Sequence, residues 1–130
     1  KEQYLSFEKF IQTLDLEMPV LGKTFTFLVY YQSVGPRLAL VVKINDPNQT
    51  EKIMKAWEKT MPDDLKWLFL QEPGSPSTDS FQDNLYKNIS IRYLNFPDSA
   101  LTIDYAIVND LLIITTSKES MYEIINRLVK

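Results

Sequence analysis

Apolar residues recur along this chain with two different periods, and the switches between them outline its elements. Phe7, Phe10, Ile11 and Leu14 fall at i, i+3, i+4 and i+7, one helical stripe inside an N-terminal helix and connector over residues 1–20. Thr24 to Gln32 then alternates Phe25, Phe27, Val29 and Tyr31 against Thr24, Thr26, Leu28 and Tyr30, as a strand does. Beyond a turn at Ser33–Pro36, Arg37 to Ile44 returns with Leu38, Leu40, Val42 and Ile44 on one face. Asn45 to Asn48 breaks that strand. Asn48-Gln49-Thr50-Glu51 reads as a capping box opening a helix to about Lys59, with Ile53, Met54 and Trp57 on one side. Residues 24–60 thus form a first β-β-α unit.

Met61-Pro62-Asp63-Asp64 ends that helix and starts a short helical run, Leu65 to Leu70, its two Asp suited to the positive end of a helix dipole. Residues 72–80 (EPGSPSTDS) are too rich in Pro, Gly and Ser for regular structure and are expected to be a mobile loop. Phe81 to Asn88 follows neither period. Ile89 to Phe96 reads as a strand with Arg92 on the face opposite Ile89, Ile91 and Tyr93.

The second β-β-α unit, residues 101–130, can be read by register. A two-residue type I′ turn at Asn109-Asp110 sets Val108 opposite Leu111, Ile107 opposite Leu112 and Tyr105 opposite Ile114. Ile103, Tyr105, Ile107, Leu112 and Ile114 then share one face, while Thr102, Asp104, Ala106, Val108, Leu111, Ile113 and Thr115 make a mixed face. Ser117 and Ser120 both offer caps for a helix with the stripe Met121, Ile124, Ile125, Leu128 and Val129. The expectation is that this stripe covers the Ile103–Ile114 face, with the mixed face left open to water or to a second chain. One domain over residues 1–130 follows: α+β, an antiparallel sheet of four to five strands with helices on one face, a ferredoxin-like or related sandwich of two β-β-α half-units.

Composition removes many chemistries. The chain has no Cys and no His, so thiolate and imidazole ligands, Cys nucleophiles and His bases are absent. A net charge of −3 gives no basic face for nucleic acid, and three Gly make no phosphate-cradling loop. Asp46, Asn48 and Thr50 alternate like the start of a calcium loop, but the later Gly and Glu of that motif are missing, so helix capping is the better reading. Ser75, Ser77 and Ser80 have no base and no elbow motif. Glu72, Asp79, Asp83 and Asp104 are the carboxylates an acid/base hydrolase or a hard-cation site would need to gather. Arg92 and Asp104 are a candidate cross-strand pair. Trp67, Leu68, Phe69 and Leu70, beside the loop, are the candidate exposed interaction patch.

The stretches Phe81–Phe96, Ile103–Val108 and Leu112–Ser117, with Trp57–Pro62 upstream, resemble a C-terminal domain of uncharacterised membrane-anchored proteins from candidate-phylum bacteria. The hairpin–helix plan is also similar to bacterial repeat proteins of unknown function. The resemblance implies a location outside the membrane, tethered through a segment beyond this sequence; it lends no catalytic residue, cofactor or metal. The expected function is a non-catalytic interaction or structural module, with a protein partner or self-association, and the balance is against an enzyme. The alternatives are a carboxylate-dependent hydrolase and a small-ligand site beneath Phe25, Phe27 and Trp57.

Overall fold

The computed structural model describes residues 21–129, with side chains from Leu28 onward. The helix expected near the N-terminus lies outside the described residues, as do the side chains of Phe25 and Phe27.

Six strands form one antiparallel sheet in the order β1-β2-β6-β5-β4-β3. The strands are β1 (Leu21–Gln32), β2 (Gly35–Ile44), β3 (Gln82–Tyr86), β4 (Ile89–Asn95), β5 (Thr102–Val108) and β6 (Leu111–Thr115). The helices are α1 (Pro47–Trp57), the single turn α2 (Met61–Asp64) continued by a 3-10 turn at Lys66–Leu68, and α3 (Lys118–Leu128). The fold is α+β. One strand more than the upper expectation arises because Phe81 to Asn88, which follows neither period, supplies β3. Its hairpin to β4 turns on Lys87 and Asn88, both at positive φ (50° and 65°), as a type I′ turn requires.

The hairpin register of β5 and β6 is the expected one: Val108 pairs with Leu111, Ile107 with Leu112 and Tyr105 with Ile114. Only Asn109 of its turn takes a positive φ (56°), so the turn is not type I′. Strands β2 and β6 join the two halves through Leu40–Ile114 and Val42–Leu112 pairs.

The helices do not share one face. Leu38, Leu40, Val42 and Ile44 of β2, Ile103 and Tyr105 of β5, and Leu112 and Ile114 of β6 pack in one cluster with Met54 and Trp57 of α1, Met61 of α2 and Leu68. Met121 and Ile125 of α3 pack in a second cluster, with Ile91, Ala106, Val108 and Ile113. Strand alternation puts those four residues on the opposite side of the sheet. The assignment of the Met121–Val129 stripe to the Ile103–Ile114 face is therefore wrong, and the mixed face, whose cover the sequence leaves open, carries α3. The reason is energetic: exposing Ile91, Val108 and Ile113 would forgo about 2 kcal/mol each. The chain does run hairpin–helix twice, but the two helices go to opposite faces.

Caps account for where the helices start. Asp46, not Asn48, caps α1: its Oδ1 accepts from Gln49 N at 3.1 Å, and Pro47 occupies the first turn, where no N–H is needed. Thr50 is buried, so the Asp46-Asn48-Thr50 alternation wraps a helix start and does not converge. Ser117 caps α3, its Oγ accepting from Ser120 N at 3.1 Å. Residues 72–80 carry no helix or strand. Ser77 N nevertheless donates to Asn95 O at 2.9 Å, and Pro73 is buried.

Candidate functional site

The face that carries α3 is divided along the strands. Toward the β5–β6 turn it is apolar (Ala106, Val108, Ile113) and α3 lies on it. Toward the other end it turns polar, with Thr102 and Asp104 on β5, Tyr93 and Asn95 on β4, and Asn84 on β3; the pairs Tyr93–Asp104 and Asn95–Thr102 fix that grouping. α3 begins beside this end, at Lys118. What remains is a recess of about 190 Å³ lined by Asn84, Tyr93, Asn95, Thr102, Asp104 and Lys118.

Asp104 forms its floor and is only 1% exposed. One of its oxygens, Oδ1, accepts from the Thr102 hydroxyl; among the described residues the other has no side-chain partner. Burial pushes its carboxyl up to about 6, against the smaller opposing pull of the Thr102 hydroxyl and the Lys118 charge. The walls are held by their own bonds. Asn84 Nδ2 donates to the Tyr122 hydroxyl at 2.7 Å, which fixes the amide with its Oδ1 as the free pole. Tyr122 stacks on Tyr86, ring centroids 3.8 Å apart, and the Tyr86 hydroxyl donates to Asn126 Oδ1 at 2.8 Å. Tyr93 donates its hydroxyl proton to Gln82 Oε1 at 2.8 Å. The Lys118 ammonium rests 5.3 Å from the Tyr122 ring centroid.

A second polar group lies on the α1 face. Arg92 makes a two-pronged pair with Glu58, Nε to Oε2 at 2.8 Å and Nη2 to Oε1 at 2.7 Å, and its Nη1 reaches Asp83 Oδ1 at 3.1 Å. The Tyr105 hydroxyl donates to the same Glu58 carboxylate. Arg92 is held above its ordinary value, chiefly by the hydrogen bond to Glu58, and Tyr105 is raised chiefly by burial. A hollow of about 210 Å³ adjoins this group. Each of the guanidinium's three nitrogens is engaged by a carboxylate oxygen, so the group ties α1 to β3, β4 and β5 and offers a ligand little.

The other sequence candidates do not gather into a site. Arg92 and Asp104 do not pair, because Arg92 stands opposite Tyr105, one step out of register, and the two side chains leave opposite faces. For the same reason Asp83 and Asp104 do not converge; Glu72 and Asp79 are exposed in the 72–80 segment. Among the described residues no three acidic, Cys or His side chains gather as a metal site. Of the proposed patch, Leu68 and Phe69 are buried in the core and Trp67 packs against it, while Leu70 is 47% exposed. Phe69 meets Phe96 edge-on, ring centroids 5.2 Å apart, which draws the run inward. Trp57 is buried with Nε1 donating to Asp64 Oδ2 at 2.7 Å, so it closes the core over α1.

Glu58 was missed by sequence reasoning. The usable signal was Arg92 itself, which shares a strand face with Leu94 and Phe96 and needs an acid from whatever packs there. What the fold and recess define is an open antiparallel α+β sheet, covered by helices on both faces, with one buried carboxylate open to a polar hollow. No family model, no curated protein and no solved structure matches the chain. Among the described residues no helix is long and apolar enough to cross a membrane.

Proposed function

We propose that the chain is a non-catalytic binding module and that the recess over Asp104 is where it takes a small polar ligand. One observation carries this reading: a carboxylate 1% exposed has, among the described residues, only one oxygen bonded by another side chain, and it lines a hollow walled by hydrogen-bonding groups. A buried charge without a full set of partners lowers stability, and proteins keep such charges where they act on something else. The lining supports binding over turnover. It holds one carboxylate, two amides, a phenol, a threonine and a lysine; the Thr102 hydroxyl is bonded to the Asp104 carboxylate, but among the described residues no third side chain orients that pair.

The test is a thermal-denaturation screen of wild type and Asp104→Asn against small polar compounds. A ligand at about one hundred times its Kd stabilises by about 2.7 kcal/mol, several degrees for a chain this size. The reading requires a compound that raises the midpoint of wild type and leaves the variant unmoved. A screen in which every stabilising compound acts equally on both would sink it.

A second reading, a protein contact along the outer edge of β3, is favoured by Leu85, 68% exposed on a strand that pairs on one side only among the described residues. A concentration-independent sedimentation coefficient for wild type, matched by Leu85→Lys, would count against self-association there. From the sequence resemblance alone we place the module outside the membrane, within a longer tethered bacterial protein. Protease accessibility in intact cells and in lysed cells tests that placement.

A further inference from the structure

Resting on the reading of the recess as the binding site, we propose that its ligand is a small free amino acid, its ammonium on the Asp104 carboxylate and its carboxylate on the Lys118 ammonium. The recess presents two opposite charges that are not spent on each other. Neither Asp104 nor Lys118 belongs to any of the ion pairs among the described residues. Lys118 is held by the Tyr122 ring on the rim, while Asp104 sits on the floor.

Between the two charges the lining is rich in acceptors. Thr102 and Tyr93 have committed their hydroxyl protons to Asp104 and Gln82, so each turns lone pairs to the hollow. Asn84 has committed one Nδ2 proton to Tyr122 and keeps Oδ1 as an acceptor. With the free oxygen of Asp104 these form a set of acceptors suited to the three donors of a primary ammonium. A carboxylate cannot use that floor but fits the Lys118 end.

Size narrows the class. About 190 Å³ corresponds to roughly six water volumes at about 30 Å³ each. That accommodates a small amino acid such as glycine, alanine or serine. A divalent cation such as calcium asks for about six to eight oxygens and usually several carboxylates; this floor has one. A bare amine would satisfy Asp104 and leave Lys118 idle, and a bare carboxylate would do the reverse.

The experiment is a titration of the isotope-labelled chain at pH 7.5, following the backbone amides of Tyr93, Thr102, Asp104 and Lys118. The compounds are glycine, L-alanine and L-serine, against methylamine, acetate, glycerol and calcium chloride. The expected result is saturable shifts with at least one amino acid, and binding at least tenfold weaker for methylamine and for acetate. Asp104→Asn should lose at least tenfold for that amino acid, and Lys118→Gln should abolish its advantage over methylamine. If methylamine, acetate, glycerol or calcium binds as tightly as the amino acids, the amino-acid inference is overturned while the recess remains a binding site. If no compound moves those amides, or the amino-acid shifts persist unchanged in Asp104→Asn, both readings fall.

Discussion

Replacing Asp104 with Asn should make the protein more stable at neutral pH, and the gain should vanish in acid. The carboxyl titrates near 3.8 when unperturbed and near 6 in the folded chain, chiefly because it is buried. That difference of about two pH units corresponds to about 3 kcal/mol at about 1.4 kcal/mol per unit. Below about pH 4 the group is protonated in both folded and unfolded chains and adds no pH-dependent cost. Between about 4 and 6 the unfolded chain releases the proton while the folded chain retains it, so stability falls as pH rises. Above about 6 the cost is complete. The charged or titratable groups facing Asp104 are Lys118 of α3 and Tyr93 of β4.

Asparagine is isosteric, never ionises, and its Oδ1 can still accept from the Thr102 hydroxyl. Urea unfolding of both proteins at half-unit steps from pH 4 to 8, without ligand, isolates the effect, because other carboxylates cancel in the difference. The variant should match wild type within about 1 kcal/mol near pH 4 and exceed it by about 2–3 kcal/mol at pH 7.5. A difference that stays flat across the range, or a variant less stable at pH 7.5, would refute the reasoning.

Other outcomes follow from the packing. Glu58→Ala leaves Arg92 and the Tyr105 hydroxyl without their shared acceptor and should cost about 2–3 kcal/mol by urea unfolding; combined with Tyr105→Phe, the two losses should be clearly less than additive. Ile113→Ala should cost about 2–4 kcal/mol and couple in a double-mutant cycle to Met121→Ala, whereas Ile114→Ala should couple to neither. Phe69→Ser should destabilise by about 3 kcal/mol or more, while Leu70→Ser, on an exposed side chain, should stay within about 0.5 kcal/mol. Lys87→Gly should stabilise by about 0.5–1 kcal/mol, since φ of 50° is costly for any residue with a Cβ.

Period and register carried the hairpins well. The pairing of β5 with β6 could be written residue by residue because a two-residue turn leaves no freedom in alignment. The same alternation lists both sets of side chains, yet it does not say which helix lands on which set. Ala106, Val108 and Ile113 were diluted by Thr102, Asp104 and Thr115 when the face was averaged along its whole length, and the average hid a boundary halfway along the strands. β3 was illegible for a local reason: in QDNLY only Leu85 is aliphatic, and it is exposed along with Gln82 and Asp83. Trp67 to Phe69 looked like a surface patch because it borders a Pro- and Ser-rich segment. Composition of a neighbour says nothing of the cavity that Phe96 leaves for Phe69 to fill.

Arg92 and Asp104 show how a single step of register separates scaffold from site. On adjacent strands, one position nearer in alignment, they would have neutralised each other on one face. Instead Arg92 turns to the α1 side, where Glu58 and Asp83 engage all three of its nitrogens, and nothing remains to bind with. Asp104 turns to the other side, where α3 starts too late to cover it and supplies only Lys118 at the rim. β6 occupies Leu111–Thr115, so α3 cannot begin a turn earlier without unpairing that strand. The cap at Ser117, tied by its hydroxyl to Gln32 of β1 and to Ser120, sets the helix start just beyond it. With α3 starting there, the recess stays above Asp104.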